Sequence, residues 1–102
     1  MNDKTADLID RIFQELTNRN MAIVYDHEFE ELGNDNVNVL MSEIPLACRT
    51  SGLIDKDSCL NAWRSAKNGH TIFEIMPTDN TKVRAAWWNA KRISRYQVRN
   101  GT

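Results

Sequence analysis

The sequence has little of what most enzymes and metal sites require. Of its 102 residues two are cysteines, Cys48 and Cys59, and there is no CxxC pair. Structural zinc sites usually bring ligands in close pairs, so the wide, even spacing of Cys48, Cys59 and His70, with His27 as a fourth candidate, is weak support for zinc. A Gly-rich phosphate loop, a GxSxG motif and an HExxH motif are also missing. We therefore expect two reduced thiols, no metal, no cofactor and no enzymatic activity.

Long apolar runs are missing as well. No stretch approaches the roughly 20 apolar residues that span a bilayer. The first ten residues, MNDKTADLID, are acidic and amphipathic, unlike a secretory signal or an Arg-rich transit peptide. Hydrophobic residues make up 41% of the chain and charged residues 26%, the balance of a folded soluble protein. The expectation is a cytoplasmic protein without membrane association, formed by a single domain over residues 1–102.

Charge of one sign is absent from two long stretches. Between Arg19 and Arg49 there are six acidic residues and no Lys or Arg, whereas residues 80–102 contain six Lys or Arg and no acid. Residues 1–60 carry a net charge of −7 and residues 61–102 a net charge of +6, although the whole chain is at −1. Such asymmetry between the two parts of a chain indicates charged partners.

The apolar spacing predicts a single small α+β domain with about four helices and a short β-sheet or hairpin. The first helix is the clearest, because its apolar residues recur at helical spacing after a capping residue at Asn2 or Asp3. Segment 27–36 fits either an extension of the strand or one helical turn that ends at Gly33, and 37–41 reads as strand-like. The expected helices are 3–19, 43–51, 56–67 and 81–97, and the expected strands are 21–26 and 70–76. The expected core is Ile9, Ile12, Phe13, Leu16, Ile23, Leu46, Leu60, Trp63, Ile72, Phe73, Trp87 and Ile93.

The basic segment from Lys82 to Arg99 supplies the first functional hypothesis. Its composition favours a helix over a hairpin strand, and a helix separates its residues into two sides. One side is apolar, with Val83, Ala86, Trp87, Ala90 and Ile93; the other is basic, with Arg84, Lys91, Arg92 and Arg95, and it also includes Trp88. Basic side chains neutralise phosphates and an exposed aromatic ring stacks on bases, so this side predicts nucleic-acid binding. An ordinary solvated helix face is the alternative.

The acidic stretch supplies the second hypothesis, a protein–protein inhibitor or adaptor of the kind that mobile elements and phages encode. Its candidate contact residues are Asp26, Glu28, Glu30, Glu31 and Asp35, within an acidic 26–43 surface, and the Trp88 patch could serve the same purpose. A homodimer is a related expectation, in which residues 26–35 of one chain meet Arg84, Lys91 and Arg92 of another. Nucleic acid is slightly favoured, because the run of bases without acids is the strongest signal in the chain.

A third pattern is a pair of expected helices around Gly52, which loosely resembles a DNA-binding helix-turn-helix. Its second helix would begin with the acidic DKDSC and offer Asn61, Arg64 and Lys67 to bases, so an ordinary helical hairpin is the alternative. A β-hairpin over residues 70–88 would instead favour a winged-helix version.

Overall fold

Residues 2–77 are described by a computed structural model of the chain, and they form three helices and a three-stranded antiparallel sheet. The fold is therefore α+β, as expected. In chain order the elements are α1 (Asp3–Arg19), β1 (Met21–Tyr25), α2 (Asp26–Leu32), α3 (Asn34–Ser51), β2 (Ser58–Ser65) and β3 (His70–Pro77). The strand order is β1-β3-β2, so β3 is central. The expected helix over 81–97 lies outside the described residues, as do Trp87 and Ile93.

Helix α1 and strand β1 form where the sequence predicts them. Asn2 caps α1 by accepting a hydrogen bond from the Thr5 backbone N–H at 2.8 Å. Asn20 ends the helix in the left-handed conformation, and its N–H bonds to the Leu16 carbonyl. Strand β1 starts at the next residue, so α1 and β1 meet at a tight corner that lets the helix lie across the sheet.

Helix α3 differs from the expected pattern, because it begins at Asn34 and includes the segment 37–41 that reads as strand-like. Pro45 lies in its interior and not in a first turn, so the helix loses one backbone hydrogen bond there. Leu40, Ile44 and Cys48 offset this loss, since they repeat every four residues and are fully buried. Tertiary packing therefore overrides both the β-branched residues and the proline.

The expected helix 56–67 is wrong: residues Ser58–Ser65 form strand β2, paired with β3. A tight turn joins β2 to β3. In this turn the Gly69 N–H donates to the Ser65 carbonyl at 2.8 Å, and Gly69 has a φ of 64°. Asn-Gly between two apolar runs is a hairpin signal, and here it closes a hairpin and does not end a helix. The helix-turn-helix around Gly52 is therefore also wrong.

The core lies between one face of the sheet and helices α1 and α3. Of the expected core residues that are described, Ile12, Leu16 and Phe73 are buried, and Ile9, Phe13 and Leu60 pack against them. Leu46 is wrong, because it is 51% exposed on α3. The remaining three, Ile23, Trp63 and Ile72, are half-buried on the opposite face of the sheet.

Candidate functional site

The candidate nucleic-acid residues lie outside residues 2–77. These are Arg84, Trp88, Lys91, Arg92 and Arg95, so the basic side on which the first hypothesis depends remains a sequence-based prediction. The five acidic candidates all lie on described elements, and the structure divides them into two groups.

Glu28 belongs to the group that is engaged inside the protein. Its carboxylate pairs with the Arg11 guanidinium of α1 through two contacts, one of them at 3.0 Å between Nη2 and Oε2. It also accepts a hydrogen bond from the Tyr25 N–H at 2.9 Å, which caps the start of α2. The hydrogen bond from Arg11 is the main reason that the pKa of Glu28 is lowered. Glu28 therefore joins α1 to α2 and is not available to a partner.

Asp26 is engaged in the same way with the hairpin. Arg64 of β2 donates to both oxygens of its carboxylate, from Nη2 to Oδ2 and from Nε to Oδ1 at 3.1 Å, and the Asp26 N–H donates to the Gly69 carbonyl at 2.9 Å. The pKa of Asp26 is lowered chiefly by the hydrogen bond from Arg64. The helix-turn-helix interpretation of the sequence made Arg64 a candidate for contacting DNA bases. In the structure its guanidinium is instead paired with the Asp26 carboxylate.

These two ion pairs predict a specific loss of stability in acid. Because Glu28 has a lowered pKa when folded, its contribution is present above the unfolded value near 4.5 and is lost as the pH falls through the folded value. We expect Glu28→Gln to lower the free energy of unfolding by about 1–2 kcal/mol at pH 7, and the difference from the unmodified protein to be smaller at about pH 3. Urea unfolding at both pH values measures it. Asp26→Asn is the control: that pair is more exposed, so its effect should stay below about 1 kcal/mol.

The other three acidic candidates face solvent. Glu30 and Glu31 are exposed on α2 and Asp35 is exposed in the first turn of α3. Within residues 2–77 none of the three forms an ion pair, since the acids that do so there are Glu15, Asp26 and Glu28. Their charges are therefore available to a partner.

The exposed side of α3 brings apolar residues next to these charges. At about 100° per residue, Asp35, Val39, Ser42, Glu43 and Leu46 share the side opposite Leu40, Ile44 and Cys48. We call these five residues the exposed α3 face. Val39 is 39% exposed and Leu46 is 51% exposed, and their separation of seven residues places them one above the other. The face is thus an apolar pair bordered by carboxylates, with Arg49 near its C-terminal end.

Sequence reasoning missed the exposed α3 face because it started the helix at residue 43. A helix that starts there does not include Leu40, so its buried side is not defined and Leu46 is assigned to the core. Leu40, Ile44 and Cys48 together were the available signal, since their four-residue spacing defines the buried side and leaves Val39 and Leu46 opposite.

Two open clefts border these surfaces. A cleft of about 270 Å³ between α1 and α2 is lined by Lys4, Asp7, Leu8, Arg11, Glu28, Glu31 and Leu32. A cleft of about 500 Å³ beside the C-terminal half of α3 is lined by Pro45, Arg49, Ile54, Asp55, Ser58, Cys59 and Leu60. Among residues 2–77 no three His, Cys, Asp or Glu side chains gather as metal ligands, and no helix there is long and apolar enough to cross a bilayer. Cys48 and Cys59 form no disulfide, and burial raises the pKa of the Cys48 thiol.

An aromatic cluster that the sequence did not indicate lies at the end of the sheet. Tyr25 is 49% exposed, stacks against His27 with ring centres 6.1 Å apart, and lies nearly perpendicular to the His70 ring with centres 5.9 Å apart. The pairing of β1 with β3 brings this cluster together, because it places Tyr25 opposite His70. The cluster is next to the hairpin turn, so the start of α2 and the turn form one surface.

The order of elements completes the geometry. Helices α2 and α3 are joined through Gly33 alone and are followed by the β2–β3 hairpin, an arrangement that resembles a winged helix. The connection is shorter than the turn of about 3–4 residues that is usual between the two helices of a helix-turn-helix. Protein-family models, curated proteins and solved structures were all compared with this chain, and none of them matches it.

Proposed function

We propose that this protein is a small, non-enzymatic regulatory protein of the cytoplasm that docks another protein through the exposed α3 face and the neighbouring acids of α2. The single observation that carries the proposal is the pairing of exposed Val39 and Leu46 with carboxylates that have no ion-pair partner within the described chain. A buried apolar anchor inside a charged border is the usual composition of a protein interface.

The charge of this surface indicates the chemistry of its partner. Helices α2 and α3 carry six carboxylates and one basic side chain, Arg49. A partner that offers an apolar side chain between Lys or Arg residues complements this pattern. Two copies meeting through the same face about a two-fold axis would bring like charges together, which disfavours that form of homodimer.

Nucleic-acid binding is the second candidate, and the winged-helix-like order of elements is the observation that favours it. In such folds α3 would enter the major groove, but Asp35 and Glu43 on its exposed face would repel phosphates. Binding of this kind would therefore depend on the basic segment, with Arg84, Lys91, Arg92 and Arg95 on phosphates and Trp88 stacked on a base.

The docking proposal is tested by recovering partners from the source cells and then measuring each purified partner against variants of the exposed α3 face. We expect Leu46→Asp to weaken binding at least about 30-fold, which corresponds to a hot-spot loss of about 2 kcal/mol. Asp35→Lys should weaken it by about 3–10-fold, more so at low salt than at high salt, because screening reduces the attraction. Isothermal titration at two salt concentrations measures both effects.

Matched controls are available on α1, where Gln14 and Asp10 are exposed and lie away from the proposed surface. Gln14→Asp and Asp10→Lys make the same changes of charge and should leave affinity within about twofold. A partner that tolerates Leu46→Asp as well as Gln14→Asp would contradict the proposal. Titration with single- and double-stranded DNA at low salt tests nucleic-acid binding. That function requires an affinity for DNA that falls steeply with salt and is insensitive to Leu46→Asp.

A further inference from the structure

The face of the sheet turned away from the helices contains more buried residues than the described elements account for. Strand alternation places Met21, Ile23, Cys59, Asn61, Trp63, Ile72, Glu74 and Met76 on it, and we call this the outer sheet face. The register brings Ile23, Ile72 and Trp63 into one row across the three strands. A mostly apolar row of this kind is typical of a surface that packs against another layer.

Burial confirms that this face is covered. Met76 is 2% exposed and Asn61 is 6% exposed. Both point away from the core cluster, which contains Phe73, Ala22 and Val24 from the other face together with residues of the helices. Because α1 and α3 lie on that other face, they do not explain why Met76 and Asn61 are buried.

Asn61 adds a polar requirement. Its side-chain Nδ2 is buried and makes no hydrogen bond within residues 2–77. A buried amide donor without an acceptor is costly, so native structures seldom leave one unsatisfied. The buried amide therefore indicates that the elements of residues 2–77 do not complete this face.

We propose that the outer sheet face is the docking site for residues 78–102 of the same chain. This segment begins directly after Pro77, at the end of central strand β3. Its apolar side, with Val83, Ala86, Trp87, Ala90 and Ile93, provides the complementary surface. A helix over 81–97 would be about 25 Å long at about 1.5 Å per residue, close to the roughly 26 Å of an eight-residue strand.

The proposal assigns opposite roles to the two adjacent tryptophans. Trp87 packs on the outer sheet face, whereas Trp88 remains outside with Arg84, Lys91, Arg92 and Arg95. A basic, aromatic surface is then held on a rigid support, on the side of the sheet away from α3. This arrangement is independent of the α3 docking proposal, since the two surfaces share no residue.

Thermal unfolding of the full chain tests the assignment with two single changes at adjacent positions. We expect Trp87→Ala to lower the melting temperature by about 10 °C or more, because it removes a large buried side chain. Trp88→Ala should change it by less than about 3 °C, as for an exposed position. Equal effects of the two changes, or no effect of either, would overturn the assignment.

A direct measurement separates docking within one chain from docking by a second copy. With methyl-labelled methionine, nuclear Overhauser contacts are expected between the Met76 methyl group and the Trp87 ring, which Trp87→Phe identifies. In a mixture of uniformly ¹³C-labelled and unlabelled chains, an isotope filter retains only contacts between a labelled and an unlabelled chain, so these contacts should vanish if they are intramolecular. Their survival in the mixture would show exchange between copies, and their absence from a uniformly labelled sample would show that the segment does not dock; either result overturns the proposal.

Discussion

Replacing Ile44 with alanine is expected to lower the free energy of unfolding by about 3 kcal/mol, while Leu46→Ala, two positions later on the same helix, should cost less than about 0.5 kcal/mol. Ile44 is fully buried in the core cluster, so its removal leaves a cavity in addition to the lost transfer free energy. Leu46 is 51% exposed, and its truncation removes little buried area. Urea unfolding of both variants, followed by circular dichroism, measures the difference.

The comparison is informative because the two residues are both branched aliphatic side chains in the same helix. The change in helix propensity differs between the two variants by less than about 0.5 kcal/mol, so the much larger expected difference in unfolding free energy reports burial. Equal costs at the two positions would mean that α3 is rotated about its axis relative to the structure described above. The exposed α3 face, and with it the docking proposal, would then lose its basis.

Replacing Gly33 with alanine is expected to cost about 1–3 kcal/mol. Gly33 joins α2 to α3 with a φ of 83° and a ψ of 159°, a conformation that only glycine adopts without strain. Its N–H bonds to the Phe29 carbonyl at 3.3 Å and its carbonyl accepts from the Val37 N–H at 3.0 Å, so both helices depend on this geometry. A Cβ built at this position meets nothing within 4 Å, so the cost is a backbone effect and not a clash. Chemical denaturation measures it.

Gly52 offers a matched control for this change. It ends α3 at a φ of 79° and a ψ of 9°, the left-handed region that asparagine also tolerates. We therefore expect Gly52→Asn to cost less than about 1 kcal/mol, whereas Gly33→Asn should cost nearly as much as Gly33→Ala. A neutral Gly33→Ala would indicate that α2 and α3 can be joined in another way, and the resemblance to a winged helix would weaken accordingly.

Elements with strong local signals could be predicted from the sequence. Helix α1 has a capping residue at Asn2 and a continuous apolar stripe, and β3 has β-branched and aromatic residues ended by Pro77. Such signals depend on neighbours in the chain, so they need no knowledge of what packs where.

Elements decided by distant contacts could not be predicted in this way. The residues of β2 fit a helical stripe about as well as a strand, and pairing with β3 decides between the two. Helix α3 includes Pro45 because its buried side belongs to the core and the helix packs against α1 and α2, a gain that no local rule contains. The end of α2 and the start of α3, on either side of Gly33, could not be predicted for the same reason, because they depend on contacts that both helices make.

The candidate site also has features that the sequence determines and features that only distant contacts determine. By itself the sequence determined that acidic residues concentrate before residue 60 and basic residues after it, that Cys48 and Cys59 lack close ligand spacing, and that the domain is α+β. Only the tertiary structure decided that Asp26 forms an ion pair with Arg64 and Glu28 with Arg11. It also decided that Glu30, Glu31 and Asp35 are exposed. The physical reason is that composition sets how many charges there are, but an ion pair needs two side chains within about 4 Å. In Asp26 and Arg64, residues 38 positions apart, that proximity exists only because α2 and the hairpin turn meet at the end of the sheet.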